Sequence, residues 1–546
     1  MKKICFFALV LVLGVIPFLS AQVSVPGEPL SFREYIPANR SAVIRAESPD
    51  VDMLLSEDSL YPSPYRYGTI LPAEVDIDKD GQWDHVADGD LWRATVQAPG
   101  ALAIGLYFDR FWLPPGSQLF VYDPSRTKVI GAFTSQNNHE SGLFATEIIP
   151  GEQIILEYFQ PAGTAGRPLL HISELSYVYR GVGFTTRGFG GSGACEVNVN
   201  CSEGWSWSQE AKGVALIGIR KGTANYWCTG SLVNNVRNDK TPYFLTADHC
   251  GEGATPQNLL QWVFYFHYEA PDCVDPPAPP IPKSITGAVL KAHGGNSGST
   301  GSDFFLVQFV EDIPVFYDVY FNGWSRLDPA GTSGVTIHHP MGDIKKISFY
   351  NTALRPTTYG SNPLQCFWKV RWAGTEHGYG VTEGGSSGSP LFDASHLIVG
   401  TLTGGTSSCD TAHLTDYDYY GRFSFHWDTN GPDSSARLKD WLDPDHTNVT
   451  SLSGSPLGTG DQILTRYVPV YPNPCTDYTL MTYPGKTCPD ATISFFNTLG
   501  NQVKVGKINL IHNKVVRMDV SGMPPGIYLL RIKAEDEIFI AKITVI

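Results

Sequence analysis

The sequence predicts a mostly β chain built from several domains. At 546 residues it is too long for one core, and at roughly 100–200 residues per domain it reads as three or four units. Gly 55 and Pro 39 stand beside 12% aromatic residues, a balance that favours short strands and tight turns. Hydrophobic residues make up 42% and charged residues 17%, the composition of a chain that buries cores. The 39 Lys and Arg against 54 Asp and Glu give a net charge of −15, which argues against nucleic acid and anionic membrane surfaces, since both reward basic patches.

The N-terminus reads as a secretory signal peptide over residues 1–21. Met1-Lys2-Lys3 is basic, Ile4 to Leu19 is an apolar run of 16 residues, and Ser20-Ala21 is a small-residue exit. That run is too short to span a membrane as a mature helix. Residues 22–187 hold no cysteine outside the signal and read as a small β-sandwich, with strand signals at 102–108, 118–122 and 153–158 and turns at Pro114-Pro115-Gly116 and Asp123-Pro124. Asp76, Asp78, Asp80 and Gly81 resemble the opening of a calcium loop, but the twelfth position is Ala87 where Glu is needed, so a solvated Asp/Gly turn is expected. Residues 188–447 hold most of the cysteines and the chemistry. They open on a glycine-rich loop after Arg187, the kind of loop that proteases cut. Residues 448–463, rich in Ser, Gly and Thr, read as a linker. Residues 464–546 alternate as a second β-sandwich, with turns at Asn497 to Asn501 and Met523-Pro524-Pro525-Gly526.

Export changes how the cysteines read. Ten less Cys5 leaves nine in the mature chain, and in an oxidising compartment these are staples before they are metal ligands. No pair has C-x-x-C spacing, so neither a zinc ribbon nor a redox dithiol is expected. His338-His339 is no metal pair either, because neighbours on a strand point to opposite faces. No metal or other cofactor is expected.

Three motifs point to nucleophilic chemistry. Gly384-Gly385-Ser386-Ser387-Gly388-Ser389-Pro390 sets a serine among glycines. A serine hydroxyl needs a base to take its proton and N–H groups aimed at the developing oxyanion, and glycines let the chain turn so that such groups converge. A plain Gly/Ser loop is the bland reading. His249, in Thr246-Ala247-Asp248-His249-Cys250, ends a buried strand signal at 243–245, and Cys250 could tie that end to Cys228. Asp303 opens the apolar run 304–307, where a half-buried carboxylate can orient an imidazole, although a turn-capping Asp is its default reading alone.

The order His249, Asp303, Ser387 is the chymotrypsin-type order. Residues 194–445 resemble the bacterial lysyl endopeptidases, a secreted branch of the trypsin-like fold. The matching strings run through Cys228-Thr229-Gly230-Ser231-Leu232, Tyr243-Phe244-Leu245-Thr246-Ala247, His338-His339-Pro340, Gly385-Ser386-Ser387-Gly388-Ser389-Pro390, Tyr420-Gly421-Arg422 and Asp440-Trp441-Leu442-Asp443-Pro444. Residues 464–546 resemble the sorting domain read by type IX secretion, through Tyr471-Pro472-Asn473-Pro474 and Pro525-Gly526-Ile527-Tyr528. The resemblance implies a chymotrypsin-like double β-barrel flanked by an N-terminal propeptide and a C-terminal sorting sandwich. It implies that Ser387 attacks the peptide carbonyl, His249 is base and then acid, Asp303 holds its tautomer, and the N–H groups of Gly385 and Ser387 form the oxyanion hole. It also implies disulfides Cys195–Cys409, Cys201–Cys273 and Cys228–Cys250. Cys475–Cys488 would then be local to the last domain, leaving Cys366 odd.

The trypsin specificity carboxylate would stand six residues before the nucleophile, where this chain has Val381. The lysyl branch instead places an Asp just before Tyr420-Gly421-Arg422. Asp418 fits, with Asp416 the alternative, and Gly404, Gly405 and Gly421 would shape the pocket. Aromatic walls could favour Lys over the planar fork of Arg. Ser386 replaces the Asp with which a newly cut N-terminus pairs in trypsin, so the N-terminal piece is expected to assist folding or block the cleft. Two departures stand out: Asp248 beside the histidine, and Thr403 where the best-known members carry a histidine. The expected partners are protein or peptide substrates and the outer-membrane secretion machinery. The expected product is a monomer that is secreted or held on the outer surface of a diderm bacterium, via the periplasm. An Arg or other preference, an inactive surface adhesin and a glycan-binding protein are the competing readings.

Overall fold

The computed structural model describes residues 24–546 apart from 26, 35, 37–42, 61–63, 182–188, 296–299, 329, 363, 411–415, 459–463, 469, 484–486, 498–501, 513 and 535–536. The signal peptide, the Arg187-Gly188 junction, and the 459–463 and 498–501 parts of the expected linker and turn lie outside the described residues. The chain divides into two compact units, Met1–Leu457 and Gly458–Ile546.

The double barrel is present in the first unit. In one barrel Val214–Lys221, Ala224–Leu232, Tyr243–Thr246, Phe305–Phe309 and Ala288–His293 follow one another as antiparallel neighbours. Val263–Phe266 and Lys283–Thr286 extend the sheet from the other side of Val214–Lys221. Only Gly287 separates Lys283–Thr286 from Ala288–His293, and the strand turns its corner there at φ +88. Ile217, Phe244, Phe264, Val307 and Phe309 fill the interior. In the second barrel the order is Lys346–Tyr350, Gly334–His338, Pro390–Asp393, Ile398–Gly405, Asp418–Arg422, Phe367–Val370. A bridge between Phe349 and Ala373 returns the last strand to the first, around Tyr350, Trp368, Leu391, Leu402 and Tyr420.

The N-terminal residues form two sheets. One is ordered Ile44–Arg45, Gly89–Gln97, Gln153–Pro161, Gln118–Tyr122, Val129–Phe133. The other, Tyr65–Asp76, Leu169–Val178 and Ala103–Trp112, is continuous with the first barrel. Tyr65–Asp76 pairs antiparallel with Ala224–Leu232, with Tyr65 opposite Trp227 and Gly68 opposite Asn225. The rings of Tyr67 and Trp227 stack at 4.0 Å. Tyr65, Tyr67, Tyr107 and Ile148 share one buried cluster with Leu216, Trp227, Val263 and Tyr265. Polar contacts seal the join: Gln261 donates to the carbonyls of Phe108 and Phe144, and Ser284 to Glu147 at 2.7 Å. The Asp76–Gly81 turn is closed by its own bonds, Asp78 N–H to Asp76 and Asp76 N–H to Asp80, while Lys79 and Arg110 each reach the Asp76 carboxylate at 3.2 Å.

Two expectations are corrected. Residues 448–457 are not a free linker: Ser451–Leu452 pairs with Trp324–Ser325, and Ser455–Pro456 with Tyr320–Phe321. The small residues that suggested a linker permit close approach, since a Cβ on Gly454 would lie 2.4 Å from the Tyr320 ring. In the second unit, Leu464–Tyr467, Glu537–Val545, Gly526–Ala534, Cys488–Phe496 and Gln502–Leu510 form one sheet, and Tyr478–Thr482 with Val515–Asp519 another. Cys475 and Cys488 are both buried there as free thiols. Thr492 faces Lys533, so Cys488 lies beyond the Ala534 end of its neighbour strand. Cys475 lies beside Val545, which faces Gly526 at the other end. At about 3.4 Å per residue the two thiols are far outside disulfide reach.

Candidate active site

His249 sits on a one-turn helix, Asp248–Gly251, directly after strand Tyr243–Thr246. The Cys228–Cys250 disulfide fastens that helix to strand Ala224–Leu232. Cys195–Cys409 and Cys201–Cys273 are also formed, and Cys366 is a buried free thiol.

Asp303 is fully buried just before strand Phe305–Phe309, at φ +61. It takes two bonds from the histidine: the backbone N–H of His249 donates to Oδ1 at 3.0 Å, and Nδ1 lies 2.9 Å from Oδ2. Nδ1 bound to a carboxylate leaves Nε2 as the free base. His249 Nε2 is buried with no hydrogen-bond partner among the described residues. Burial opposes charging the ring, but the Asp303 carboxylate and its hydrogen bond outweigh it and hold the His249 pKa above its ordinary value. Asp248 adds only a late contribution in the same direction, and its carboxylate is turned to His293 Nδ1 at 3.0 Å.

Ser387 is 7% exposed, on the turn that leads into strand Pro390–Asp393. Its carbonyl accepts from Thr229 N–H at 2.8 Å, which joins the turn to the strand that carries Cys228. Gly388 packs onto the approach to the histidine: a Cβ there would lie 2.1 Å from Thr246 Oγ1 and 2.7 Å from Ala247 N. Gly385, at φ +95, lies against the 339–342 loop, and its carbonyl accepts from Thr229 Oγ1 at 2.9 Å. The Ser386 and Gly388 amides are turned away, to the carbonyls of Glu383 and Leu402. Tyr65 of the N-terminal sheet closes on the same loop, with its Cδ2 3.0 Å from where a Cβ of Gly384 would be.

Like Val381, Asp418 is buried, at the start of strand Asp418–Arg422. It accepts from Trp372 Nε1 at 2.6 Å, Thr382 Oγ1 at 2.8 Å and Ser407 Oγ at 2.5 Å. These donors are all uncharged. Burial pushes the carboxyl up, against the pull of those hydrogen bonds. Gly405 is pressed on it: a Cβ would meet Asp418 Oδ1 at 2.0 Å. A Cβ on Gly404 would lie 3.2 Å from the Tyr359 hydroxyl. Tyr359 also packs on Tyr419 at 5.0 Å. Gly421, expected in the same pocket, is instead on the far side: a Cβ there would meet Ser302 O at 1.9 Å and His426 Cε1 at 2.7 Å. An offset of three along a strand turns a residue to the opposite face. Asp416 is half-buried, and its Oδ2 has no hydrogen-bond partner among the described residues. No pocket role was legible in the sequence for Trp372, Thr382, Ser407 or Tyr359, which come from four separate segments; of these only Thr382 stands in a string that resembles the family, Gly380-Val381-Thr382-Glu383.

Residues 189–421 match the family model described as lysyl endopeptidase, C-terminal domain, and residues 469–546 match the secretion system C-terminal sorting domain. The resemblance read from the sequence is borne out. A lysyl endopeptidase of Pseudomonas aeruginosa is 31% identical over 294 residues, which are 51% of this chain and 60% of that protein. The chain thus spans about three-fifths of the length of this curated relative. Among solved structures, the protease Anisep of Arthrobacter nicotinovorans is similar at 18% identity, with 39% of this chain and 91% of that chain covered and a TM-score of 0.28. A Glu endopeptidase is similar at 16% identity, with 43% and 92% covered and a TM-score of 0.26.

Proposed function

We propose that this chain is an exported serine endopeptidase that cuts peptide bonds on the carboxyl side of lysine. The observation that carries the hydrolytic reading is the doubly bonded Asp303–His249 pair, with the Ser387 carbonyl 3.8 Å from Sγ of Cys250, the residue after the histidine. In this reading the Ser387 hydroxyl attacks the scissile carbonyl while His249 Nε2 takes its proton. The N–H groups of Gly385 and Ser387 stabilise the oxyanion. The imidazolium, held by Asp303, then protonates the leaving amine, and a water repeats the sequence on the acyl-enzyme.

Asp418 supports the choice of lysine over an uncharged residue. A substrate ammonium loses hydration on entering a closed pocket, and a buried carboxylate bonded only to neutral groups keeps its charge free to replace that hydration. Gly404, Gly405 and Tyr359 would narrow the approach. Residues 22–187 are proposed to be a propeptide whose strand Tyr65–Asp76 braces the first barrel, and residues 464–546 a sorting domain that takes the protein to the outer surface or beyond. The test is to label the purified protein with a fluorophosphonate and to sequence by mass spectrometry the peptides it releases from mixed proteins. Labelling at Ser387 with cuts after Lys supports the reading. No labelling and no release would sink it, and cuts after Arg or acidic residues would move only the specificity.

A further inference from the structure

The residue just before each of two triad members is a serine bonded to a fully buried histidine. Ser302 precedes Asp303, and its Oγ lies 2.7 Å from His426 Nδ1. Ser386 precedes Ser387, and its Oγ lies 2.8 Å from His338 Nδ1. The two histidines come from different elements, helix Phe423–Asp428 and strand Gly334–His338.

Their other nitrogens are also engaged, and donors and acceptors can be followed through each chain. His426 Nε2 is 3.0 Å from Thr401 Oγ1, and Thr401 Oγ1 donates to the Asp303 carbonyl at 3.4 Å. If Thr401 donates onward, it accepts from His426 Nε2–H, and His426 Nδ1 accepts from the Ser302 hydroxyl. Asn430 completes this set by accepting from Ser302 N–H and donating to its Oγ, both at 2.9 Å. His338 repeats the pattern. Its Nε2 is 3.0 Å from Ser348 Oγ, which donates to the Val381 carbonyl at 2.9 Å. His338 Nε2 therefore donates, and Nδ1 accepts from the Ser386 hydroxyl, which itself accepts from Glu383 N–H at 3.2 Å. Burial lowers both imidazoles to about 3, so they are neutral in these networks and are not proton acceptors for the reaction.

Asp303 needs such support, because a non-glycine residue at φ +61 is held only where its surroundings over-determine it. We infer that His426 and His338 are positioning residues, the first fixing the triad acid through Ser302 and Thr401, the second fixing the nucleophile turn through Ser386. The inference rests on the triad reading above. A displacement of about 1 Å at a reacting group can cost on the order of 100-fold in rate.

The test uses the full chain processed as in the wild type, with active sites counted by fluorophosphonate titration. His426→Phe and His338→Phe fill the volume without the nitrogens. Each is expected to lower kcat per titrated site by about 10- to 100-fold with KM little changed. His426→Gln and His338→Gln keep one acceptor and one donor and should recover much of that loss. If either phenylalanine variant does not fold, Ser302→Ala or Ser386→Ala removes only the hydroxyl and should still cost several-fold in kcat. Thermal melting alone does not decide. A phenylalanine variant with lowered Tm but wild-type kcat per titrated site overturns the inference for that histidine, as does a glutamine variant no better than phenylalanine. A wild-type protein that neither labels nor cleaves brings down the triad reading instead, and the inference with it.

Discussion

At the scale of single residues, two carboxylates shape the acid side of the pH behaviour, one through the base and one through its own charge. Asp303 raises His249, so the neutral base is present only above the ordinary imidazole range, and kcat/KM should fall as pH drops through that raised value. The groups facing His249 are Asp303, Asp248 and Lys221, the last lowering its pKa. Asp248→Asn should therefore move the acid limb slightly downward, which a profile of kcat/KM against pH would register; an upward move contradicts the assignment. Asp418 adds a second acid limb, because its raised carboxyl loses charge on acidification, and this limb should appear with Lys substrates and be absent with a neutral isostere. Asp418→Asn removes one partner of a desolvated pair, which costs roughly 2–5 kcal/mol, or about 30- to several-thousand-fold in kcat/KM on Lys. Gly405→Ala should also lower the rate on Lys, since its Cβ would meet Asp418 Oδ1 at 2.0 Å. Kinetics on Lys, Arg and neutral substrates separate these cases, and equal losses on all three would make Asp418 a fold residue. The pairing of His249 with Asp303 was legible because each sits in a short string with a chemical reason of its own. Gly421 was misread because adjacency to Asp418 in sequence says nothing about which face of the strand a residue takes.

At the scale of elements, the strands were legible from their apolar runs and turn residues, but the union of two sheets was not. Backbone edges pair through N–H and C=O groups that every residue carries, so no side chain announced that Tyr65–Asp76 would add to Ala224–Leu232. The consequence is physical. Without residues 24–181 the barrel exposes Trp227, Leu216, Val263 and Tyr265, now in one cluster with Tyr65, Tyr67 and Tyr107. Full burial of such a side chain is worth about 1.5–3 kcal/mol. A chain expressed from residue 189 onward should therefore refold poorly, and residues 24–181 added as a separate polypeptide should raise the yield of titratable sites. Equal yields with and without that polypeptide would remove the bracing role. The same limit explains the misread linker: Ser and Gly mark flexibility when alone and close packing when a strand such as Tyr320–Phe321 is waiting.

At the scale of the whole molecule, the boundary between the two units decides which cut is harmless. The C-terminal unit has its own core, with Leu530, Ile532, Phe539 and Ile543 buried in it. The proposed triad residues His249, Asp303 and Ser387 all belong to the first unit. A chain ending at Leu457 should keep wild-type kcat/KM on Lys substrates once purified, while its export changes from the outer surface or medium to retention inside the cell envelope. A chain ending at Thr447 is a different molecule. It loses Ser451–Leu452 and Ser455–Pro456, and with them the strands laid on Trp324–Ser325 and Tyr320–Phe321. It also loses the Asn448 and Val449 carbonyls that accept from Arg326 at 3.0 Å. Trp324 then loses its partner Leu452 beside the cluster it shares with Val335, Phe392 and Trp427. The shorter chain should melt lower and give fewer titratable sites, with each remaining site turning over normally. Fractionation of cells, active-site titration and melting of the two truncations test this together. Equal stability of both chains would mean that residues 448–457 are a linker after all, and loss of turnover per site in the Leu457 chain would mean that the C-terminal unit supports the reaction itself.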